Sequence, residues 1–263
     1  MLAGVADVLH WVASEDYQRL NWGIMNMPFI GWTSMEMGSE INMKLIEKFP
    51  AMKDEFRGAE ILTIKMMPPV QIHTIKKSIT TPADLKGAKI ICTGAMAKFV
   101  NSVGGAPADI MVGDMYTALN SGLAEGVVNH WPVVSVFGTL PLYKFHTNFG
   151  NGGIQMLPFG IVVNPNSWKK LPADIQKIMK DTAHEVWYVQ GLQIEYGEIA
   201  KYTQQAKEMG HTITSLTPAE IKVWQDAAVP LHEGWLKDFE GAGKPAKTVY
   251  AEAKKLIAEY ATK

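Results

Sequence analysis

The sequence predicts an α/β fold in two lobes, crossed by one long helix. Through the middle of the chain, short apolar runs typical of buried strands alternate with helical stretches, which favours α/β layering with parallel strand pairing. Towards the C-terminus, residues 172–209 carry apolar side chains at roughly helical spacing, and no proline occurs between residues 173 and 209. A helix of this span extends on the order of 50–55 Å, which suits an element that crosses two lobes.

The other elements follow from local patterns along the chain. Ser34 can cap a helix whose apolar positions recur every four residues up to Lys48. Thr217-Pro218-Ala219-Glu220 is a capping box with proline at the first helical position. The predicted strands are 5–9, 60–67, 70–75, 89–93, 108–112, 126–129 and 211–216. The predicted helices are 34–48, 95–103, 114–120, 172–209, one that begins at 217, and 246–260.

Composition narrows the class of protein. Hydrophobic residues make up 47% and charged residues 19%, as in ordinary globular proteins. The net charge of -1 gives no electrostatic reason to expect nucleic acid or anionic lipid as a partner. No apolar run reaches the roughly 18–20 residues of a membrane span, and the first residues do not predict a signal peptide. Cys92 is the single cysteine, so no intrachain disulfide is possible.

Motifs of catalysis and metal binding are absent from the sequence. There is no GxSxG elbow, no HExxH zinc helix and no GxxxxGK[ST] phosphate loop. The seven histidines are dispersed, and none lies three or four residues from another. We therefore expect no catalytic residues, no metal site and no cofactor. An enzyme on a two-lobed α/β scaffold is the alternative, and it would need an ionisable pair within hydrogen-bond reach.

Aromatic residues cluster where predicted strands end. Trp11 follows the first strand, and His130 and Trp131 follow the strand at 126–129. In open α/β sheets ligands bind beyond the carboxyl ends of strands, so these positions are candidate ligand contacts. Packing in a core or a hinge is the other interpretation of Trp131, which precedes Pro132.

Three motifs occur in an order that resembles a known family. They are ITTPADLKGAKI at 79–90, GGAPADIMVGDMYTALNSGLAEGVVNHWP at 104–132, and VVNPNSWKKLPADIQKIM at 162–179. Together they resemble the solute-binding proteins of TRAP transporters, the DctP-like group, and the match extends from about Gly4 to the C-terminus.

The resemblance implies a two-lobed fold like that of periplasmic binding proteins, with the long helix spanning both lobes. Lobe I would comprise 1–74 and about 157–200, and lobe II 75–156 and about 201–263. The implied function is that of a periplasmic receptor that captures a small organic solute and delivers it to the membrane permease subunits of a TRAP transporter. In family members, several secondary-structure elements precede the position that matches the start of this chain. The strands, loops and export signal of that N-terminal segment are therefore expected to be missing here.

The resemblance also assigns candidate ligand contacts by position. Ile91 stands where the family usually has an arginine that forks onto a ligand carboxylate, and Lys77 stands where some members place a second cation. Asn129 would hydrogen-bond the ligand, and Val112 lies where an aromatic often packs. In chain order, the candidates are His10, Trp11, Lys77, Ile91, Thr93, Val112, Asn129, Trp131 and Phe159.

The missing arginine changes the expected ligand. A guanidinium fork holds and orients a carboxylate, whereas Ile91 cannot donate a hydrogen bond. The sequence therefore favours a ligand that is not a standard arginine-clamped carboxylate and that is more apolar or neutral-polar. Two alternatives stay open: Lys77 holds a carboxylate less directionally, or the chain is a truncated, non-binding or sensory relative.

Overall fold

The structure, a computed structural model, describes residues 3–12 and 19–260. Within them the strands are β1 (Val8–Val12), β2 (Glu60–Met66), β3 (Gln71–Thr74), β4 (Lys89–Ile91), β5 (Ala106–Ala108), β6 (Gly126–Asn129), β7 (Phe145–Asn148), β8 (Pro158–Val163) and β9 (Thr212–Ser215). The helices are α1 (Leu20–Met25), α2 (Met35–Lys48), α3 (Pro50–Lys53), α4 (Gly94–Ser102), α5 (Met115–Asn120), α6 (Trp131–Val136), α7 (Pro165–Trp168), α8 (Ala173–Thr182), α9 (Gly191–Glu208), α10 (Pro218–Gly241) and α11 (Ala246–Tyr260).

The first lobe is built on a three-stranded sheet in the order β1-β8-β2, with both pairings antiparallel. One face of this sheet packs against α2 and α11 in a core rich in methionine and isoleucine. The predicted cap holds, because the Ser34 hydroxyl accepts a hydrogen bond from the Met37 N–H at the start of α2. Capping by a serine hydroxyl satisfies one of the amide groups that a helix start leaves without a partner.

The second lobe is built on a six-stranded sheet in the order β5-β4-β6-β3-β7-β9. The predicted parallel pairing is found between β4 and both of its neighbours, and between β7 and β9. β3 instead runs antiparallel to β6 and β7.

Parts of the prediction need correction. The first strand, expected at 5–9, is β1 at Val8–Val12, and β7 and β8 were not predicted. The strand expected at 108–112 is β5 at Ala106–Ala108, because its register with β4 pairs Lys89 with Ala106 and Ile91 with Ala108. β5 is an edge strand, and this position accommodates Pro107, which has no N–H to donate to a neighbouring strand. The lobe boundaries also shift, since β3 lies in the second sheet and α11 packs in the core of the first lobe.

The predicted long helix is confirmed as a continuous helix of 36 residues, formed by α8, a π-helical segment at Ala183–Gln190, and α9. Leu192 packs in the core of the first lobe, whereas Tyr202 and Ala206 pack in the second. α10 makes a similar crossing, with Trp224 in the second lobe and Phe239 in the first. Two helices therefore connect the cores of the two lobes.

Candidate ligand-binding site

A cavity of about 570 Å³ lies beyond the carboxyl ends of β4, β5 and β6. These three strands are mutually parallel, so the residues that follow them meet at one edge of the sheet. The apolar wall includes Val70, Ile91, Met96, Met111, Met115 and Leu157. The polar lining is Cys92, Thr93, Asp109, Asn129 and Gln155.

The strand β4 delivers Ile91, Cys92 and Thr93 to the cavity. Ile91 pairs with Ala108 on one side and Val127 on the other, so its backbone is fixed from both neighbours. Burial, with a further contribution from Asp109, raises the pKa of the Cys92 thiol to about 12. The thiol therefore stays protonated at neutral pH and is a poor nucleophile.

Asp109 is the first residue beyond β5, and its side chain is exposed. Among the described residues that line the cavity, it is the one that carries a charge at neutral pH. No hydrogen bond or ion pair joins its carboxylate to another residue in the described part of the chain. The cavity therefore presents a negative charge with open acceptor sites.

Asn129 is the last residue of β6, and two hydrogen bonds fix its side-chain oxygen and its backbone carbonyl. Its Oδ1 accepts a hydrogen bond from the His130 backbone N–H at 2.9 Å. Its backbone carbonyl accepts one from His73 Nε2 at 3.2 Å. Because Oδ1 is engaged, the amide Nδ2 is the group that Asn129 can offer to a molecule in the cavity, as a donor.

Behind Asn129, three buried histidines form a hydrogen-bonded chain through the second sheet. His73 and His146 are joined through their Nδ1 atoms at 2.7 Å, and His146 Nε2 lies 3.0 Å from His211 Nδ1. The Asn129 carbonyl can only accept, so His73 Nε2 carries a proton and His73 Nδ1 accepts from His146. By the same logic His211 Nδ1 donates to His146 Nε2.

This assignment is the one for three neutral rings. A proton added to His73 Nδ1 would face the N–H of His146, and both groups would then be donors. Burial lowers the pKa of His73 to about 3 and that of His146 to about 2, and it also lowers the pKa of His211. The chain therefore stays neutral in the folded protein over the physiological pH range.

Two connecting segments between the lobes run side by side along the cavity. Met67 N–H donates to the Leu157 carbonyl at 2.8 Å, and Val70 N–H donates to the Gln155 carbonyl at 2.9 Å. Val70, Gln155 and Leu157 also line the cavity, so the wall includes the chain segments at which one lobe passes into the other. The buried Gln155 Oε1 has no hydrogen-bond partner among the described residues.

Four of the predicted ligand contacts meet at this cavity: Ile91, Thr93, Val112 and Asn129. Sequence reasoning missed Asp109 and Gln155. Asp109 carries a signal, since it directly follows β5, but the strand was expected two residues later in the chain. Gln155 has no such signal, because it lies between elements and reaches the cavity only through pairing of distant segments.

The remaining predicted contacts lie elsewhere. Trp131 is buried in the second lobe, with its ring 4.6 Å from that of His146, so packing rather than ligand contact explains it. Lys77 donates from an exposed loop to the Asp84 carbonyl at 2.6 Å. Trp11 packs on Phe56 in the first lobe.

His10 and Phe159 also lie outside the cavity lining. Their rings meet edge to face, with centroids 5.5 Å apart on the first sheet. His10 also contacts Trp187 of the long helix at 4.9 Å. Neighbouring strands bring these two predicted residues together, but at a place beside the long helix and outside the cavity.

Other kinds of site find no support within residues 3–12 and 19–260. No group of three or more histidine, cysteine, aspartate or glutamate side chains there could hold a metal ion. None of the described helices combines the length and apolar character needed to cross a membrane.

Comparison with solved structures identifies the fold. A TRAP solute-binding protein from Rhodoferax ferrireducens, solved with copurified benzoate, superposes with a TM-score of 0.84 at 23% identity over 99% of this chain and 81% of that one. A marine metagenome TRAP solute-binding protein, solved with 3-hydroxybenzoate, gives a TM-score of 0.87 at 24% identity over 98% of this chain and 81% of that one. The described architecture is therefore that of TRAP solute-binding proteins.

The chain belongs to the DctP family of bacterial extracellular solute-binding proteins, family 7, whose model matches residues 3–238. A similar curated relative is the C4-dicarboxylate-binding periplasmic protein DctP of Rhodobacter capsulatus, 27% identical over 168 residues. That match covers 62% of this chain and 49% of the relative, so the matched part spans about half of the relative's length. The family is a class of solute-binding proteins rather than of enzymes.

Proposed function

We propose that this protein is a periplasmic solute-binding receptor that captures a small organic ligand between its two lobes and delivers it to TRAP permease subunits. The observation that carries the proposal is the position of the cavity. It lies where three parallel strands end and against the paired segments that connect the lobes. A ligand there would touch the second lobe and the connection at once, so binding would favour one arrangement of the lobes.

The helices that connect the lobes support closure about this point. The long helix and α10 each pack in both cores, so a change in the angle between the lobes must be absorbed within them. α10 contains Pro230, which has no N–H to donate and is a common site of helix bending. The π-helical segment Ala183–Gln190 is a comparable irregularity in the long helix.

The lining argues against a ligand whose carboxylate is clamped by arginine. Ile91 offers no donor, and no lysine or arginine lines the cavity among the described residues. A carboxylate enclosed there would lack a cationic partner and would face Asp109. The ligand is therefore neutral or cationic, with donors and acceptors that suit Asn129, Thr93 and Gln155.

The absence of a reactive pair in the cavity supports binding without chemistry. Cys92 is held protonated, and no histidine lines the cavity among the described residues. An enzyme would need a general base or nucleophile within hydrogen-bond reach of another ionisable group.

Thermal melting with a panel of small acids, amines, amides and alcohols tests the proposal. A ligand that binds the folded state raises the melting temperature further as its concentration rises. Asn129→Leu should remove the shift, whereas Asn101→Leu, a matched change at an exposed site on α4, should retain it. If no compound shifts the melting temperature of the folded protein, the receptor proposal is wrong and the non-binding alternative is favoured.

A further inference from the structure

We propose that the cavity selects a small organic ammonium compound, and that Asp109 recognises the positive charge. This inference rests on the proposed function, since it requires that the cavity hold a ligand. It goes further by naming the chemical class of that ligand and the residue that selects it.

Asp109 gives the cavity a negative charge. Asp109 is the carboxylate among the described lining residues, and Cys92 remains a neutral thiol. Lys65 lies close enough to His130 to lower its pKa, but its ammonium is buried and paired with Glu195 Oε1 at 2.8 Å. The carboxylate of Asp109 is therefore the uncompensated charge at this site.

Asp109 lies at the edge of the second sheet, beside Cys92. Ala108 pairs with Ile91 in the parallel ladder, so Asp109 lies level with Cys92 at the edge of the sheet. The effect of the Asp109 carboxylate on the Cys92 thiol agrees with this proximity. When the lobes close and exclude water, an unpaired carboxylate loses its hydration. An ammonium group on the ligand would replace that hydration with a charge-assisted hydrogen bond.

One feature of the cavity opposes this assignment. Helix α4 has nine residues and begins at Gly94, so its amino terminus lies at the cavity and favours negative charge. The helix dipole acts as roughly half an elementary charge, whereas an ionised aspartate carries a full one. The amino terminus of α4 also stabilises the negative charge of Asp109, but it does not neutralise that charge as a bound cation would. The net field at this edge therefore attracts a cation.

The neutral lining defines the rest of the ligand. Asn129 offers its Nδ2 donor, which suits a hydroxyl or carbonyl oxygen on the ligand. The Gln155 Oε1 has no hydrogen-bond partner in the part of the chain that the structure describes, and rotation of its amide can turn an acceptor towards a donor on the ligand. Met96, Met111 and Leu157 form an apolar wall. The structure thus favours a short apolar body that carries an ammonium group and an oxygen acceptor.

Titration calorimetry with two matched sets of compounds tests the inference. One set is benzylamine, benzyl alcohol and benzoate; the other is 4-amino-1-butanol, 1,4-butanediol and 4-hydroxybutanoate. In at least one set we expect the amine to bind about tenfold more tightly than the alcohol and more tightly still than the acid. Asp109→Asn should remove that preference by weakening the amine more than the alcohol.

Asp114→Asn is the matched control, because Asp114 lies on the turn before α5 and outside the cavity lining. It should leave the amine preference unchanged. If an acid or the alcohol binds more tightly than the amine in both sets, the ammonium assignment is wrong while the receptor function stands. If neither set, nor the wider melting panel, yields a ligand for the folded protein, both proposals are wrong. An amine preference that survives Asp109→Asn would show that another group selects the charge.

Discussion

Acidification should weaken the fold through the buried histidine chain. His73 and His146 remain neutral in the folded protein, with pKa values of about 3 and about 2, whereas an unfolded histidine has a pKa near 6.5. As pH falls below 6.5, the unfolded chain therefore binds protons that the folded chain excludes. The stabilisation is fully present above pH 6.5 and is lost progressively as the pH falls towards the folded values.

The expected magnitude follows from this linkage. Between pH 7.0 and pH 5.5, each histidine that stays neutral in the folded state lowers the free energy of unfolding by about 1.2 kcal/mol. The pair His73 and His146 together should lower it by about 2.5 kcal/mol. Urea denaturation at the two pH values measures the total loss, to which the lowered pKa values of His130, His211 and His232 also contribute.

Variants isolate the contribution of the histidine chain. His146→Phe removes one buried titrating ring while filling much of its volume, so its loss between the two pH values should be about 1.2 kcal/mol smaller than that of the unchanged protein. His184→Gln, at an exposed position on the long helix, should leave the loss as it was. An equal pH-dependent loss in His146→Phe and the unchanged protein would refute the neutral chain, whatever the stability of the variant at pH 7.0.

Three further changes test the site and its frame. Ile91→Arg combined with Asp109→Asn should create measurable benzoate affinity in calorimetry, because it adds a guanidinium donor and removes the opposing carboxylate. Gly152→Ala should lower the free energy of unfolding by about 1–3 kcal/mol, because the new Cβ would lie 1.6 Å from a backbone carbonyl oxygen. Glu195→Gln should lower it by about 3 kcal/mol, because it leaves the buried ammonium of Lys65 without a charged partner.

The last two of these changes each have a contrast within the chain. Gly113→Ala should have little effect, since a Cβ there meets nothing within 4 Å. Asp226→Asn should cost less than about 1 kcal/mol, because its ion pair with Lys222 is exposed on both sides. No gain of benzoate affinity in the doubly changed cavity would mean that the side chain at 91 does not reach the ligand.

Local signals in the sequence predicted the longer helices, but not β7 and β8. Ser34 at the start of α2 and the capping box of Thr217 and Glu220 at the start of α10 form the hydrogen bonds that their spacing indicates. The long helix also followed from its own periodicity. These features depend on residues within a few positions of one another, so a single sequence contains the information.

The candidate site was predictable only where it follows the ends of strands. Ile91, Thr93 and Asn129 follow this rule and line the cavity. Trp131 obeys the same rule by position, yet its side chain turns into the core of the second lobe. Which way a side chain turns depends on partners far along the chain, and no local pattern specifies them.

The histidine chain shows this limit most clearly. His73, His146 and His211 are separated by more than sixty residues in each case, and they meet because β3, β7 and β9 are neighbours in one sheet. Their spacing in the sequence suggested dispersed residues without a common role. The order of the strands in the sheet brings the three histidines into one buried, hydrogen-bonded network.

Small-angle X-ray scattering with and without a saturating ligand tests the central claim most directly. The ligand would be the compound that gives the largest melting shift, with 4-amino-1-butanol as the first candidate. Closure of two lobes around the cavity predicts a smaller radius of gyration in the liganded protein, and no such decrease in Asn129→Leu at the same concentration. An unchanged radius of gyration, with calorimetry confirming that the ligand is bound, would contradict the account of a receptor that closes on its solute.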